Sequence, residues 1–426
     1  MKFKLGHKQP YQMQAFMLFV IFLTVAMLVA ILVYRTGVGV VRTPSDMDYG
    51  FGPAIQGLLE HHRLGIFSNV LGRWIYACRM PLIPVFGALV SCISSRFLVF
   101  FLIKNLICWS AWIYALLRLR RRYSISDAWI VFAAALVILV PYNAHIASHA
   151  EFEEGYLVAL LGLLFVLLLT ACRTFDFACI GLLVAFVYLT KSSMALTCGV
   201  AVVWAAFTGW KSGHLRALLP TVGLALAVLS WGGYIFANTG VFAFGADESS
   251  WNGWNFYKGN NPQAVVLYPR VLLDILDEGN GLYPSTPMHD EWELSHAQFA
   301  MGRKFVHDHP DLALEMDWKK FYVVCCDVKE APEKIPGHTR PMVFVSSLIN
   351  HLSVAICLLW MAVRAWKRQL TSAEVLALLM MTAYIAPYMV GFIYMRHMVP
   401  IYCLVALVLA VQSADWRTAA MQQIKA

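Results

Sequence analysis

SDMDYGFGPAIQGLLEHHRLGIFSNVLGRWIYACRMPLIP, residues 45–84, follows the first long apolar run of the chain and contains two aspartates, Asp46 and Asp48. Apolar residues recur at helical spacing within 53–59, which begins with a proline, and again within 70–78. Both runs are far shorter than the ~20 residues that a membrane span needs. The stretch therefore predicts short helices that lie in the membrane interface beside the acidic pair. A solvated loop or a helix cap is the alternative explanation of that pair.

The composition indicates an integral membrane protein. Hydrophobic residues make up 60% of the chain and charged residues only 14%, whereas an ordinary soluble domain carries about 25% charged residues. The net charge is +8, but the Lys and Arg residues stand in short clusters between apolar runs, as in cytoplasmic loops. This pattern excludes an ordinary soluble globule and predicts no nucleic-acid surface. The first apolar run lacks a small-residue cleavage site and is interpreted as a retained span.

Ten apolar runs are predicted to cross the membrane. They are residues 15–34, 97–117, 128–142, 155–171, 177–190, 194–208, 217–236, 342–363, 373–394 and 399–411. Basic residues precede the first run, so the positive-inside bias places the N-terminus, and with ten spans also the C-terminus, in the cytoplasm. The apolar run 81–93 is interpreted as an interfacial or re-entrant segment, because a span there would turn the arginine cluster 118–122 outward.

This topology divides the chain into three parts. Residues 1–236 form an N-terminal transmembrane module whose first outer loop, 35–96, carries the acidic pair. Residues 237–341 form an extracytoplasmic region, and residues 342–426 form the C-terminal transmembrane helices with a short cytoplasmic tail. The predicted fold is an all-α polytopic bundle. The chain has no phosphate-binding glycine loop or hydrolase elbow, and its ten cysteines show no zinc-type spacing, which removes support for ATP-driven and hydrolase functions.

Polar residues from separate loops are predicted to meet at one outer level. The polar hinge 143–154 ends in Glu153 and Glu154, and the tight turn after the fifth span contains Lys191. Interfacial snorkelling is the structural explanation of this lysine. The sequence WNGWNFYKGNNP, residues 251–262, combines aromatic and amide side chains that suit stacking on sugar rings and hydrogen bonding to hydroxyls. A turn-rich loop is its alternative interpretation.

Several motifs, in this order, resemble those of the GT-C superfamily of membrane glycosyltransferases, especially bacterial relatives of the protein O-mannosyltransferases and the lipid A aminoarabinose transferase. The matching residues are Asp48 followed by Leu58-Leu59, Arg79-Met80-Pro81-Leu82-Ile83-Pro84, Thr190-Lys191, the loop 255–262, His309-Pro310 with Lys319-Lys320, and Arg396-His397 before Pro400. Two positions depart from the pattern. The family's Asp-Glu pair is here Asp46-Met47-Asp48, which leaves the choice of base open, and its final tyrosine is His397.

The resemblance implies a GT-C-like bundle that transfers a sugar from a polyprenyl-phosphate donor to a lipid, glycan or protein acceptor. The reaction would take place on the extracytoplasmic face of a bacterial inner membrane. Asp48, or alternatively Asp46, is expected to be the catalytic base of an inverting transfer. The residues expected to bind the donor phosphate are Arg79, Lys191 and Arg396. Those expected to contact substrate are Glu153, Glu154, Asn260, Asn261 and His397.

The expected mechanism requires no cofactor and no metal. If a divalent ion took part, as in related oligosaccharyltransferases, Asp46 and Asp48 beside Glu153 or Glu154 would be its ligands. Two other classes of function remain open: a flippase or transporter of lipid-linked glycans, and an O-antigen polymerase or ligase. A transporter is expected to carry charges within its spans and to contain inverted repeats.

Overall fold

The computed structural model describes residues 9–35, 51–69, 71–77, 79–150, 152–211, 215–245, 250–269, 289–326 and 340–425. The helices are α1 (Gln9–Val33), α2 (Gly52–His61), α3 (Leu82–Ser91), α4 (Phe97–Tyr123), α5 (Asp127–Ile138), α6 (Pro141–Ser148), α7 (Glu153–Thr170), α8 (Thr174–Thr190), α9 (Ala195–Lys211), α10 (Leu219–Thr239), α11 (Ser250–Lys258), α12 (Pro262–Leu267), α13 (Glu291–Asp308), α14 (Pro310–Cys326), α15 (Arg340–Trp366), α16 (Ser372–Val390) and α17 (Met395–Lys425). Two short strands, β1 (Ile66–Ser68) and β2 (Arg73–Ile75), form a hairpin in the first loop.

Eight helical segments of the described residues are long and apolar enough to cross a membrane, and a bent pair, α5 with α6, makes nine if it counts as one span. The apolar helix α8, at 17 residues, is slightly shorter and covers the predicted fifth span. The protein is therefore an all-α polytopic membrane protein, as the composition predicts. The count of ten spans stays a prediction.

Two helices form the centre of the bundle. The buried share of the most apolar stretch is 72% in α7 and 94% in α17. In α1 and α15 it is only 22% each. Helix α7 packs against α4, α8 and α17. Its sequence is apolar on every face, which is typical of a helix surrounded by others. Gly162 allows the close approach, because a Cβ there would lie 2.9 Å from the indole of Trp112.

The first loop differs from the sequence-based expectation at residues 70–78. The apolar pattern was interpreted as an interfacial helix, but the part described there contains strand β2, paired antiparallel with β1 so that Ile75 faces Ile66. Gly72 has a φ of +63° in the connecting turn, a conformation that glycine adopts without strain. Trp74 and Ile75 favour strands, and burial of Ile66 and Ile75 against Ala54 of α2 stabilises the hairpin. The helix prediction for this segment is wrong.

The two apolar segments on either side of the hairpin are helical, which was predicted for the first of them. Helix α2 has its proline in the first turn, and Ala54 and Ile55 are buried. Helix α3 covers most of the run 81–93 in 10 residues. A helix of that length extends about 15 Å, half the thickness of the hydrocarbon core of a bilayer. It is too short to cross the membrane alone.

The segment 143–154, predicted as a polar hinge, is mostly helical and buried. Helix α6 occupies its first part and is bent by 68° relative to α5. The Asn143 amide donates to the Leu136 carbonyl and pairs with Asn350 of α15. Because these contacts satisfy the polar groups inside the bundle, a stretch with loop-like composition is folded into the core.

The region after α10 packs against one end of the last two helices. Its helices α13 and α14 are separated at His309, where the sequence predicts a break before Pro310. The Tyr268 hydroxyl donates to the Ile393 carbonyl at 2.5 Å, and the Lys320 ammonium donates to the Met389 carbonyl at 3.0 Å. These contacts place the region at the end of the bundle where α16 finishes and α17 begins.

Candidate functional site

An acidic pair begins the central helix. Glu153 and Glu154 are the first two residues of α7, where the positive end of the helix dipole favours carboxylates. The side chain of Glu154 is only 3% exposed and that of Glu153 is 12% exposed. Two adjacent, nearly buried carboxylates require cations close by.

Lys191 supplies the closest cation. Helix α8 ends at Thr190, and the extended backbone of Lys191 turns the chain into a short 3-10 helix. Its ammonium nitrogen lies 2.6 Å from Glu153 Oε2 and 2.8 Å from Glu154 Oε1. Burial alone lowers the pKa of Lys191, but the two carboxylates outweigh burial and raise the pKa well above its usual value. Lys191 is therefore charged throughout the physiological range.

The start of α17 adds an arginine and a histidine. Nε2 of His397 lies 3.8 Å from Glu154 Oε1, and its ring stacks on Tyr388 with the centroids 4.5 Å apart. Because Nδ1 accepts the Tyr394 backbone N–H, the neutral imidazole carries its proton on Nε2, facing the carboxylate. The guanidinium of Arg396 lies 4.8 Å from the ring centre of Phe152, which immediately precedes the acidic pair. Its positive charge acts on the Glu154 carboxylate.

Arg79 reaches the acidic pair from the first loop. Its Nη1 lies 3.9 Å from Glu153 Oε1, and its guanidinium lies 4.9 Å from the centre of the Phe51 ring. The backbone leading to Arg79 is held by Glu291 of α13, whose carboxylate accepts the N–H groups of Tyr76 and Ala77. A buried carboxylate from a distant helix thus fixes the approach of the arginine.

The structure therefore brings together six of the residues that the sequence singles out. The three expected phosphate ligands come from three separate segments: Arg79 and Lys191 pair with the acidic residues Glu153 and Glu154, and Arg396 lies against Phe152, the residue before that pair. His397 lies beside Glu154. The carboxylates of the acidic pair are already engaged by Lys191, so their geometry suits holding cations in place. Asp46 and Asp48 lie outside the described residues, so their part in the site stays a prediction.

Asn260 and Asn261, predicted to contact substrate, are engaged by the protein itself. Asn260 is 5% exposed and its amide donates to the carbonyls of Phe256 and Val390. Asn261 is 1% exposed, and its side-chain oxygen caps α12 by accepting the Ala264 N–H. Both side chains fasten the turn between α11 and α12, and this geometry gives them a structural role.

Sequence inspection missed a buried lysine in α4. The Lys104 ammonium is completely buried, donates to the Ala147 carbonyl at 2.5 Å and lies 5.3 Å from the Tyr156 ring centre. Asn105 donates to the next carbonyl, that of Ser148. Together they cap the end of α6, just before the segment that leads to the acidic pair. A charged residue within an apolar span is the signal that would have identified Lys104.

In the part of the chain that the structure describes, no group of three or more His, Cys, Asp or Glu side chains is arranged to hold a metal ion. The two aspartates named as ligands fall outside that part. The expectation about a metal therefore stays a prediction.

No protein-family model matches the chain. No curated protein matches it at a significant level of sequence similarity. The function is therefore inferred from the residues of this site and from their arrangement.

Proposed function

We propose that this protein is a membrane glycosyltransferase of the GT-C type, which transfers a sugar from a polyprenyl-phosphate donor to a lipid, glycan or protein acceptor. The observation that carries the proposal is the pairing of Arg79 and Lys191 with the Glu153 and Glu154 carboxylates, with Arg396 next to them against Phe152. These cations come from three of the motifs that resemble the family. Three permanent cations against two carboxylates give the cluster a net charge of plus one, which suits an anionic phosphate group.

The cations would act on the leaving group. A sugar linked to polyprenyl phosphate is a phosphodiester with one negative charge. When the bond between the anomeric carbon and the phosphate oxygen breaks, the departing polyprenyl phosphate carries two. Fixed cations in a site shielded from water stabilise this developing charge, and loss of one such group typically slows a reaction by about 10²–10³-fold. The arginines offer bidentate contacts to phosphate oxygens.

The acceptor side of the reaction would use an aspartate of the first loop. As the acceptor oxygen bonds to the anomeric carbon, its proton passes to Asp48, which has the family's spacing to Leu58-Leu59. Attack from the face opposite the phosphate inverts the anomeric centre. Asp46 is the alternative base. Both precede α2, which packs against α3 beside the segment that leads to Arg79.

The position of the buried charges along the bundle favours sugar transfer over transport of lipid-linked glycans. Lys104 belongs to a span, but it lies beside the third residue of α7, where a Cβ on Gly155 would be 2.9 Å from its ammonium nitrogen. It therefore sits at the level of the acidic pair, away from the middle of the bundle. A transporter is expected to carry charges deeper in its spans.

The orientation follows from the opposite end of α4. Arg120, Arg121 and Arg122 occupy its last turn, 16 residues and about 24 Å from Lys104 along the helix. By the positive-inside bias this basic end faces the cytoplasm, so the candidate site faces the periplasm or exterior. Together with the ten spans predicted from the sequence and the resemblance to bacterial proteins, this orientation supports a bacterial inner membrane with both termini in the cytoplasm.

The direct test uses the purified full-length protein in lipid nanodiscs with a polyprenyl-phosphate donor whose sugar is radiolabelled. We expect label to appear on an acceptor from the cell envelope, and Lys191→Gln to lower the rate by about 10²-fold or more. Lys367→Gln, an exposed lysine at the opposite end of the bundle, is the matched control and should be fully active. Movement of intact donor across a vesicle membrane without sugar transfer would establish the transporter alternative. Label that appears only on glycan chains joined to one another would favour the polymerase or ligase.

A further inference from the structure

Helix α14 has two apolar faces. One packs against the protein and includes Ala313, Met316 and Val323, which are 8%, 0% and 1% exposed. The other carries Leu314 and Trp318, which are 70% and 68% exposed. A helix that merely covers the bundle on the aqueous side needs only the first of these faces.

The second face is a continuous stripe. Leu314, Trp318 and Phe321 are spaced four and three residues apart, which places them in one row along the helix. Phe321 is 47% exposed, and its ring stacks on Trp318 with the centroids 5.6 Å apart. An open groove of about 610 Å³ lies along this face, lined by Asp311, Leu314, Glu315, Asp317 and Trp318. We call Leu314, Trp318 and Phe321 the α14 stripe.

The position of the stripe relative to the membrane is set by a neighbouring span. Lys320, on the protein-facing side of α14, donates to the carbonyl of Met389, the penultimate residue of α16. Val390, the last residue of that span, is 60% exposed, as expected of a residue that faces lipid. Trp318 and Phe321 lie within two residues of Lys320, so α14 lies at the level where this span ends.

The charges beside the stripe suit a shallow position. Glu315 and Asp317 border it on opposite sides, and each is paired with a lysine of the same helix: Glu315 with Lys319 at 2.7 Å and Asp317 with Lys320 at 3.2 Å. Ion-paired acids at both margins keep the helix axis among the lipid headgroups, and tryptophan is enriched at that same level of a bilayer.

We propose that the α14 stripe is a lipid-binding surface that lies in the headgroup and upper acyl region of the bilayer, at the end of the bundle that contains the candidate site. Helix α14 is then an interfacial helix, and the extracytoplasmic region, predicted from its composition to be soluble, is anchored to the membrane surface. This assignment depends on the membrane setting of the protein and does not depend on the proposed sugar transfer.

The test measures the surroundings of single nitroxide labels on the full-length protein in phosphatidylcholine and phosphatidylglycerol nanodiscs. Labels are attached to cysteines at Leu314, Trp318 and Phe321, one per variant. In the background protein Cys78, Cys92, Cys172, Cys325 and Cys326 are replaced by serine. Collisions with oxygen, which concentrates in lipid, are compared with collisions with a water-soluble nickel chelate. Val390→Cys serves as the lipid reference, and His307→Cys, whose native side chain is 88% exposed, serves as the aqueous reference.

We expect all three stripe labels to resemble Val390→Cys, with oxygen contact exceeding nickel contact. A nickel-accessible profile like that of His307→Cys at all three positions would overturn the proposal, because it would place the stripe in water. Protection from both reagents would also overturn it, since a second protein copy or a folded segment would then cover the stripe. The labelled positions are exposed, so each variant should fold, and its elution as a single species is checked first.

Discussion

Replacement of Lys191 by methionine separates the structural role of this lysine from its proposed role in binding phosphate. Methionine keeps the length and apolar stem of the side chain but removes the charge. Without the ammonium, the nearest described cation to Glu153 is Arg79 at 3.9 Å, and Glu154 keeps the neutral ring of His397, whose Nε2 lies 3.8 Å away. Removal of one partner of a buried ion pair typically costs about 3–5 kcal/mol of folding free energy. Because these neighbours remain, we expect a loss of about 3 kcal/mol.

The double variant Lys191→Met with Glu154→Gln separates the effect on stability from the effect on sugar transfer. It removes one positive and one negative charge, and it leaves Glu153 facing Arg79. We expect it to recover more than half of the lost stability, as measured by thermal unfolding in detergent. Sugar transfer should stay at least about 10²-fold below the wild-type rate, because the phosphate still lacks its cation. A transfer rate restored to within a few-fold of wild type would refute the assignment of Lys191 as a phosphate ligand.

Of four further predictions, the first comes from the sequence motif and the other three from the structure. Asp48→Asn should lower turnover in a labelled-sugar assay by about a hundredfold or more while donor binding survives, and Asp46→Asn should lower it by a smaller factor. If Asp46→Asn had the larger effect, Asp46 would be the base. Burial raises the pKa of the Glu291 carboxyl above its usual value, so folding disfavours its ionised form. The wild-type protein should therefore lose stability relative to Glu291→Gln as the pH rises from about 4.5 through that raised pKa. Parallel stability curves of the two proteins between pH 4 and 8 would contradict this. Asn261→Ala should cost about 1 kcal/mol through loss of the α12 cap with KM for the donor unchanged, and a raised KM would instead indicate substrate contact. Lys104→Met should lower both the transfer rate and the thermal stability, because the end of α6 that Lys104 caps leads to the acidic pair. An unchanged transfer rate and an unchanged thermal stability would show that the contact with the Ala147 carbonyl is dispensable.

Most of the helices were predicted from the sequence, but the local structure of two segments was predicted wrongly. The segment 70–78 has apolar spacing compatible with either a short helix or a strand, and only packing of Ile66 and Ile75 on Ala54 selects the hairpin. The segment 143–154 is polar enough for a loop. Its first part lies in the buried helix α6, where Asn143 finds its partner in Asn350, 207 residues away.

The composition and the apolar periodicity by themselves determined that this chain is a helical membrane protein, because burial in lipid requires long apolar runs whose backbone groups are paired within each helix. The motifs also indicated Arg79, Lys191 and Arg396 as one set. Only the tertiary structure decided what these cations face, since their common partners, Glu153 and Glu154, begin a helix distant in sequence from all but Lys191. It likewise decided that Asn260 and Asn261 fasten a loop, that Lys104 caps α6, and that α14 presents a second apolar face. Local sequence could not reveal these features, because each depends on groups that only the folded chain brings within a few ångströms.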